Sequence, residues 1–432
     1  MKVRKIQMSS GFKYAVLVDN TGMPMPYPNL FVTEHYFKTS EASNTCKAVF
    51  DRLKYLYEIC NFLEIDLVHR SLRGEFLTKA EVSEIVHWAS YKVDSFREKR
   101  EKLKQTKVVK ITKKSNLEAA RVSIVVDKDG WCDIDTTYNR ITTFSQYVSW
   151  LDKTLFPSKE SETEILFKSH RSRKIGRKKD TYDEEKYKSL SSAEMSVVLD
   201  IVRPDSPRNP WKRESIQYRN HLIIHMYEAL GIRRGELLKI RIDDVKTHPR
   251  NGRRYVTVRS ETDLEDNRAD RPEAKTLGRN IPMDKRLSDM FDDFVIYHRS
   301  NVKGVEKVPY LFVPHGYSLK KNGLSISSVD KIMREISQSV NFNVHAHALR
   351  HSWNDKYSEY ADRKIAEGRT THNKAESDRQ KLMGWSETSE MAKWYSQRYE
   401  RRRAFEVGLE LQEKGSAKIN KATEAHDEDV NY

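Results

Sequence analysis

The chain has 432 residues, of which 38% are hydrophobic and 33% charged, and this length predicts two or three domains of about 150 residues each. Its 78 Lys and Arg outnumber its 63 Asp and Glu, which leaves a formal net charge of +15. A surplus of that size indicates a polyanionic partner, most often nucleic acid. The 16 glycines and 12 prolines are too few for a collagen-like or low-complexity chain.

The number and spacing of the cysteines argue against a domain held together by disulfides or by zinc. Cys46, Cys60 and Cys132 are widely spaced and odd in number, which argues against a disulfide framework and against a C-x-x-C zinc site. Cys46 and Cys60 fall on an apolar helical face, so we expect buried free thiols. The N-terminus lacks the apolar stretch of a signal peptide, and no run approaches the roughly 18 apolar residues of a membrane span. We therefore expect a cytoplasmic protein, nucleoid-associated if it is bacterial, with no membrane contact.

The first part of the chain changes its periodicity near residue 39. Residues 1–38 alternate apolar and polar in FKYAVLVD and again in NLFVTEHYF, which predicts a small β extension. Helical periodicity then indicates helices over 46–63, 78–104 and 141–156. Thr78 and Glu81 form a capping-box pattern at the start of the second helix. We expect a helical domain over 39–167.

Two basic stretches flank the last part of this helical domain. The first, Arg97–Lys114, is either a solvated helix face followed by a strand or a DNA-contacting segment. The second, Lys168–Lys179, has no apolar period, which predicts a linker over 168–180 that lies on phosphates. The residues predicted to bind DNA are Lys110, Lys113, Lys114, Arg171, Arg173, Lys174, Arg177 and Lys178.

A larger domain is predicted over 181–413, followed by a polar tail over 414–432. Its first helix begins with a capping box formed by Ser191 and Glu194, and the next, SIQYRNHLIIHMYEAL, stops at Gly231. RRYVTVRS predicts a strand, and RPEAK and RNIPM predict two more, joined by a turn at 276–278. The remainder is mostly helical, and the polar end KINKATEAHDEDVNY favours disorder. The expected fold class is mainly α with small β-sheets: a helical domain, a mixed α/β domain and a small N-terminal β extension.

Polar clusters that could carry chemistry lie in this second domain. Arg233 follows a helix end, with Glu236 placed to brace its guanidinium on the next turn, and Lys275 lies near the tip of the predicted hairpin. The i, i+3 spacing of His347 and Arg350 places both on one helical face. The remaining polar candidates in this domain are Trp385 and Tyr395.

Each cluster also has a structural interpretation. A lone Arg–Glu pair more often stabilises a helix than catalyses a reaction, and a lysine at a hairpin tip is usually solvated. His345, His347 and His351 with Asp355 could form a metal site, although no cysteine is near. Tyrosines are ordinarily core or surface residues, so no single cluster decides the function.

The order and spacing of these residues resemble the tyrosine recombinase (phage integrase) family. The segments that carry the resemblance span most of the second domain: GIRRGELLKIRIDDV, EAKTLGRNIPM, HAHALRHSW and LMGWSETSEMAKWYSQRY. The resemblance implies that the second domain is the catalytic domain of that family and, more weakly, that the helical domain is its core-binding domain, which clamps DNA.

The resemblance also implies a role for each residue. Arg233 and Arg350 would hold the scissile phosphate, Lys275 would be the general acid, and His347 would transfer protons and donate hydrogen bonds. Trp385 would fill the position that the family gives to His or Trp. Tyr395 would be the nucleophile and Glu236 the support of the first arginine. The family's usual spacing places the tyrosine at position 394, which is Trp394 here, so a one-residue insertion is needed; Tyr399 is the second candidate.

These roles agree with the chemistry of phosphodiester transfer. Two guanidinium forks can neutralise the charge that develops on the phosphate oxygens, and such stabilisation replaces a metal ion. A phenol with a pKa of about 10 needs cationic neighbours to attack near neutral pH. A phosphotyrosine product keeps the bond energy, so we expect no cofactor, ATP or metal. The sequence shows no Walker A motif and no paired-carboxylate metal site.

Three functions remain open at this point. The first is a site-specific recombinase or integrase that acts as a homotetramer on double-stranded DNA with specific recombination sites, with room for accessory proteins. The second is a relaxing enzyme resembling type IB topoisomerases, and the third is a non-catalytic DNA-binding relative. The resemblance favours the first. The C-terminal helix RRRAFEVGLELQ would pack either on a neighbouring protomer or on the protomer to which it belongs.

Overall fold

The computed structural model describes residues 1–7, 13–37, 43–105, 130–171, 189–261, 263, 266, 268, 271–272, 276–315 and 322–429. The chain divides into two compact units, Met1–Lys179 and Asp180–Tyr432. Within the described residues, no helix combines the length and the apolarity needed to cross a membrane.

In the residues of the first unit that the structure describes, helices accompany one antiparallel pair of strands. Its strands are β1 (Lys2–Gln7) and β2 (Lys13–Val18). Its helices are α1 (Pro26–Val32), α2 (Ser43–Phe62), α3 (Leu67–Leu72), α4 (Lys79–Ala89), α5 (Val93–Gln105), α6 (Ile134–Leu155) and α7 (Thr163–His170). Strand β2, α1 and the longer helices contribute to one hydrophobic core.

The N-terminal segment contains a helix where its second alternating stretch predicts a strand. The first alternating stretch does form a strand, β2 over Lys13–Val18, as predicted. NLFVTEHYF instead continues α1 and then one π-helical turn over Thr33–Phe37. The physical reason lies in Pro26, which occupies the first helical position, where its missing N–H has no helical partner to lose. Phe31 and Val32 then enter the core of the unit.

The helix predicted over 78–104 is interrupted, because residues 90–92 bond to a neighbouring segment. The capping box of Thr78 and Glu81 is present as predicted. After Ala89 the backbone turns, Tyr91 forms a β-bridge with Trp131, and the Lys92 N–H donates to the carbonyl of Gly130 over 2.7 Å. These long-range bonds separate α4 from α5.

The two cysteines of α2 are buried free thiols, as predicted. Cys46 and Cys60 are each 1% exposed and lie in the core of the first unit. Burial raises the pKa of the Cys60 thiol above its usual range. Both thiols therefore act as packing groups.

The second unit surrounds a three-stranded antiparallel sheet with helices. Its strands are β3 (Val245–Thr247), β4 (Arg254–Val258) and β5 (Arg279–Pro282), in the order β3-β4-β5. Its α-helices are α8 (Ser192–Ile201), α9 (Glu214–Leu230), α10 (Arg234–Lys239), α11 (Lys285–Asp293), α12 (Ile326–Val340), α13 (Ala346–Ala366), α14 (His372–Met383) and α15 (Met391–Asp429). Two 3₁₀ turns, Ile242–Asp244 and Val305–Lys307, and a π-helical turn, Phe294–Arg299, complete the described elements.

The predicted hairpin between RPEAK and RNIPM is not formed by the described residues. β5 pairs with β4, with Val256 opposite Ile281, and Arg271 and Pro272 lie outside any strand. The pairing buries Val256, Val258 and Ile281 on one side of the sheet. Burial of that shared apolar face favours the pairing of β5 with β4 in this register.

Local signals placed the helix ends correctly elsewhere in this unit. Ser191 and Glu194 form the predicted capping box of α8. Helix α9 ends at Gly231, whose φ of 59° is left-handed. At the other end of the unit, α15 continues to Asp429, so the expectation of disorder from residue 418 is wrong as far as Asp429. That stretch contains neither Gly nor Pro and is rich in helix-forming residues.

Candidate active site

Arg233 stands immediately before α10, just after the left-handed turn at Gly231. It is the N-cap residue of that helix, and its side chain is 28% exposed. Its backbone N–H donates to one carboxylate oxygen of Glu236 over 3.0 Å, and its Nη1 lies 3.5 Å from the other. Glu236 therefore holds both the backbone and the guanidinium of Arg233, as the sequence pattern suggested.

Glu236 is fully buried and has stronger partners than Arg233. Arg279 Nη2 donates to its Oε2 over 2.8 Å, and Thr276 Oγ1 donates to its Oε1 over 2.5 Å. Burial alone would raise the pKa of this carboxyl, but Arg279, Arg350 and the Thr276 hydroxyl together lower it to about 2. The carboxylate is consequently charged at any physiological pH.

Arg350 is a buried cation held by carbonyl oxygens. It is 1% exposed, its Nη1 donates to the Gly231 carbonyl over 2.6 Å, and its guanidinium lies 5.8 Å from the centre of the Trp385 ring. Burial, and then repulsion by Arg233, lowers the pKa of Arg350 to about 10, so it stays protonated at neutral pH. No carboxylate among the described residues lies within ion-pair distance of it. The two arginines thus form a place suited to an anion.

Trp385 and Tyr395 stack on each other beside Arg350. Their ring centroids are 5.5 Å apart with an interplanar angle of 11°. Trp385 is 6% exposed and Tyr395 1%. Helix α14 ends at the left-handed Gly384, which brings Trp385 into the cluster, and α15 supplies Tyr395 from its second turn. The indole Nε1 is buried without a hydrogen-bond partner among the described residues, so it is available to a ligand.

The histidines of α13 form a short series that ends at Tyr395. His347 is exposed, and its ring centroid lies 4.2 Å from that of His351. His351 is 3% exposed, and its ring centroid lies 5.4 Å from that of Tyr395. His345 instead caps α13, since its Nδ1 accepts from the Ala348 N–H.

The alternative metal site gains no support from this geometry. In the parts of the chain that the structure describes, no group of three or more His, Cys, Asp or Glu side chains is arranged to hold a metal ion. The three histidines are used instead in a helix cap and in ring contacts with one another and with Tyr395.

The second tyrosine of α15 has different surroundings. Tyr399 lines a small cavity of about 50 Å³ together with Ser358, Asp362 and Arg379. Tyr395 packs in the cluster of Met383, Trp385 and Ala392. Of the two tyrosines, the structure brings Tyr395 together with Trp385 and Arg350.

Several predicted site residues lie outside the described residues. They are Lys275, Lys110, Lys113, Lys114, Arg173, Lys174, Arg177 and Lys178. Arg171, at the end of α7, is described, and its guanidinium lies 5.6 Å from the centre of the Tyr138 ring. The residues that follow Lys275 are also described: Thr276 bonds to Glu236, and the Leu277 N–H donates to the Gly384 carbonyl over 2.8 Å.

Sequence reasoning missed two residues of this cluster. Arg279 pairs with Glu236 over 2.8 Å, and the only sign of it in the sequence was a charged residue at the start of a strand. His351 was considered only as a metal ligand, although its position four residues after His347 places it on the same side of a helix. Both residues could be considered from the sequence, but their partners come from distant parts of the chain.

Comparison with known proteins identifies the domain that holds this cluster. The model of the phage integrase family matches residues 188–402, which include Arg233, Arg350, Trp385 and Tyr395. A comparison with curated proteins finds no match.

Solved structures of recombinases are similar to this chain at low identity. The XerH site-specific recombinase bound to palindromic difH substrate is 16% identical, with 78% of this chain and 85% of that chain covered and a TM-score of 0.47. The lambda integrase dimer bound to a COC′ core site is 13% identical, with 71% and 89% covered and a TM-score of 0.36. The Tn1549 transposon integrase in complex with circular intermediate DNA is 14% identical, with 70% and 94% covered and a TM-score of 0.36. The match over 188–402 carries the assignment: the chain belongs to the phage integrase family, the tyrosine site-specific recombinases.

Proposed function

We propose that this protein cuts and rejoins DNA at specific sites through a 3′-phosphotyrosine intermediate in which Tyr395 is the nucleophile. The observation that carries the proposal is the placement of the Tyr395 phenol, which is 1% exposed and stacked on Trp385 beside the buried cation of Arg350. A phenol in those surroundings is poised to react with an anionic group that the arginine holds.

Arg350 and Arg233 bind the scissile phosphate. Arg233 is close enough to Arg350 to lower the pKa of the latter, so the two guanidinium groups repel each other until an anion lies between them. A phosphodiester relieves that repulsion, and its developing charge in the transition state is held more strongly than its ground state. Glu236 keeps Arg233 in place through the contacts at 3.0 and 3.5 Å.

The remaining groups handle protons and hydrogen bonds. The indole N–H of Trp385, which has no hydrogen-bond partner in the described parts of the chain, donates to a non-bridging phosphate oxygen. His347, exposed at the start of α13, donates a hydrogen bond to the phosphate and takes part in proton transfer. Lys275 protonates the leaving group; its chain neighbour Thr276 is bonded to Glu236, which supports a position near the cluster.

The proposed reaction is a transesterification that is balanced without a cofactor. The Tyr395 oxygen forms a bond to phosphorus, the bond from phosphorus to the 5′ oxygen breaks, and the 5′ oxygen leaves as a hydroxyl with a proton from Lys275. The phenol gives up its own proton in the same step, and His347 is its final acceptor. Because one phosphoester replaces another, rejoining needs neither ATP nor metal.

The proposed partner is double-stranded DNA that carries a specific recombination site, and the proposed assembly is a homotetramer, with accessory proteins where a site requires them. The net charge of +15 supports binding to a polyanion. The basic segment over 168–180 would lie on phosphates. Because the substrate is DNA, we place the protein in the cytoplasm, or with the nucleoid in a bacterium.

A covalent-trap assay tests the proposed nucleophile. Nicked duplexes that tile the DNA around the protein's own gene are incubated with the wild type in EDTA and separated on a denaturing gel. The nick lets the released strand diffuse away, so a covalent adduct accumulates. We expect an adduct with the wild type on at least one fragment and none with Tyr395→Phe.

Tyr399→Phe is the matched control, because it removes the same hydroxyl from the next tyrosine along α15. It should form the adduct as the wild type does. An adduct that survives in Tyr395→Phe and disappears in Tyr399→Phe would move the nucleophile to Tyr399. Tight binding to a fragment without any adduct would contradict cleavage and favour a non-catalytic DNA-binding protein.

A further inference from the structure

We propose that His351 carries the phenol proton of Tyr395 to His347 during attack, so that α13 contributes a two-histidine proton path to the reaction. The inference rests on the proposed function, because it assigns a route to the proton that the nucleophile must lose.

The need for such a route follows from burial. Tyr395 is 1% exposed, so its hydroxyl proton has no direct path to bulk water. Its neighbours include the stacked ring of Trp385 and the cation of Arg350. An indole N–H and a guanidinium are donors without acceptor capacity, so neither can receive a proton.

His351 lies between the buried phenol and an exposed histidine. Its ring centroid is 5.4 Å from that of Tyr395 and 4.2 Å from that of His347. His351 is 3% exposed, whereas His347 is exposed. The three rings therefore connect the interior of the cluster with its surface.

The helix that carries both histidines explains their contact. His347 and His351 are separated by one turn of α13 (Ala346–Ala366), and residues four apart on a helix are neighbours. Tyr395 reaches them from α15, as does Trp394, whose ring centroid lies 6.0 Å from that of His351. Of the residues in ring contact with His351, the ionisable ones are His347 on its own helix and Tyr395 on α15.

The chemistry of imidazole suits the transfer. A neutral imidazole has one nitrogen that accepts a proton and one that releases it. The O–H bond of Tyr395 breaks as an N–H bond forms on His351, and the other nitrogen of His351 releases its proton to His347. The proton thereby moves from the buried ring to the exposed ring of His347.

The test uses variants that separate proton transfer from side-chain packing. His351→Phe keeps a ring of similar size without nitrogen, and His351→Gln keeps hydrogen-bonding groups that do not carry a proton at neutral pH. Both should slow single-turnover cleavage about 10²-fold or more, with unchanged affinity for the cleaved fragment and an unchanged unfolding temperature. His372→Gln, an exposed histidine at the start of α14, is the control and should cleave as the wild type does.

A substrate with sulfur in place of the 5′ bridging oxygen separates this step from the action of the general acid. A thiolate leaves without a proton, so this substrate should restore the cleavage rate of Lys275→Ala. Both His351 variants should still cleave it slowly. Cleavage by the His351 variants should also rise with pH where the wild-type rate is flat, because solvent base then removes the phenol proton.

Three outcomes would overturn the inference. The first is cleavage at the wild-type rate by both His351 variants. The second is a wild-type cleavage rate in His351→Gln but not in His351→Phe, which would indicate that His351 only positions its neighbours. The third is restoration of cleavage by both variants on the sulfur substrate. An absence of adduct with the wild type itself would instead be a failure of the proposed function, and the inference would fall with it.

Discussion

The indole ring of Trp385 lies flat against the phenol ring of Tyr395, with the centroids 5.5 Å apart and the planes 11° from parallel. The contact joins Trp385, two residues beyond the end of α14, to the second turn of α15 (Met391–Asp429). It orients the phenol while leaving the indole N–H without a partner among the described residues. One side chain therefore has two separable tasks, which substitutions can distinguish.

Substitution of Trp385 should separate stacking from hydrogen bonding. Trp385→Phe keeps a flat ring without the N–H, so we expect a stable protein with slower cleavage. Trp385→Ala removes the stacking partner and should cost about 3–5 kcal/mol of unfolding free energy. Urea unfolding and the covalent-trap assay measure the two effects. Equal cleavage by Trp385→Phe and the wild type would show that the indole N–H has no role.

Neutralising Arg350 should stop cleavage while DNA binding persists. Arg350→Met keeps the length of the side chain but removes the donor from the phosphate, and loss of one such donor typically slows a reaction about 10²–10³-fold. Arg203→Met, at an exposed arginine paired with Asp205, is the control and should cleave normally. Single-turnover cleavage is the measurement. Near-normal cleavage by Arg350→Met would remove Arg350 from the transition state.

Removing the charge of Glu236 should destabilise the second unit strongly. Glu236→Gln leaves Arg279 buried without its anion, and breaking a buried pair costs about 3–5 kcal/mol. The matched change Glu228→Gln affects a pair with the exposed Lys356 and should cost less than about 1 kcal/mol. Urea unfolding at neutral pH compares the two variants. Equal losses would mean that Glu236 contributes no more than a surface pair.

The same carboxyl predicts how stability depends on pH. Its pKa in the folded protein is about 2, against 4.5 for an unperturbed glutamate side chain. The stabilisation by its charge is therefore complete above the unfolded pKa and is lost as the pH falls through the folded pKa. The stability difference between the wild type and Glu236→Gln should shrink on going from neutral pH to about pH 3. A constant difference would contradict the low pKa.

Adding a methyl group at Gly231 should disturb the site through Trp353. A Cβ there would lie 2.7 Å from the Trp353 ring, whereas a Cβ at Gly252 would meet nothing within 4 Å. Both glycines have left-handed φ, 59° and 65°, so each alanine variant bears a backbone cost of about 1 kcal/mol. Gly231→Ala should lose more stability than Gly252→Ala and should also cleave more slowly, because Arg350 bonds to the Gly231 carbonyl. Equal unfolding temperatures would argue against the contact.

Neutralising part of the basic segment should flatten the salt dependence of DNA binding. Lys174, Arg177 and Lys178 changed together to Ala should reduce the slope of log affinity against log salt by about one for each lost phosphate contact. Titrations at several salt concentrations measure the slope. A slope equal to that of the wild type would show that the segment lies off the DNA.

Features that depend only on residues within about one helical turn could be predicted from the sequence. The capping boxes at Thr78 and Ser191 and the end of α9 at Gly231 need only neighbouring residues, because a cap satisfies N–H or carbonyl groups of its own helix. The spacing of Arg233 and Glu236 likewise predicted a contact that one helical turn makes. The family resemblance supplied the order of the remaining residues, although not their distances.

The family and most helix ends could therefore be predicted from the amino-acid sequence, whereas the partners of each side chain depend on how the chain folds. Glu236 bonds to Arg279, and Tyr395 meets Trp385 and His351, across loops whose closure no local pattern encodes. The break between α4 and α5 likewise depends on the segment at residues 130–132. Burial and long-range hydrogen bonds set these contacts, because they outweigh the small energies of local propensity.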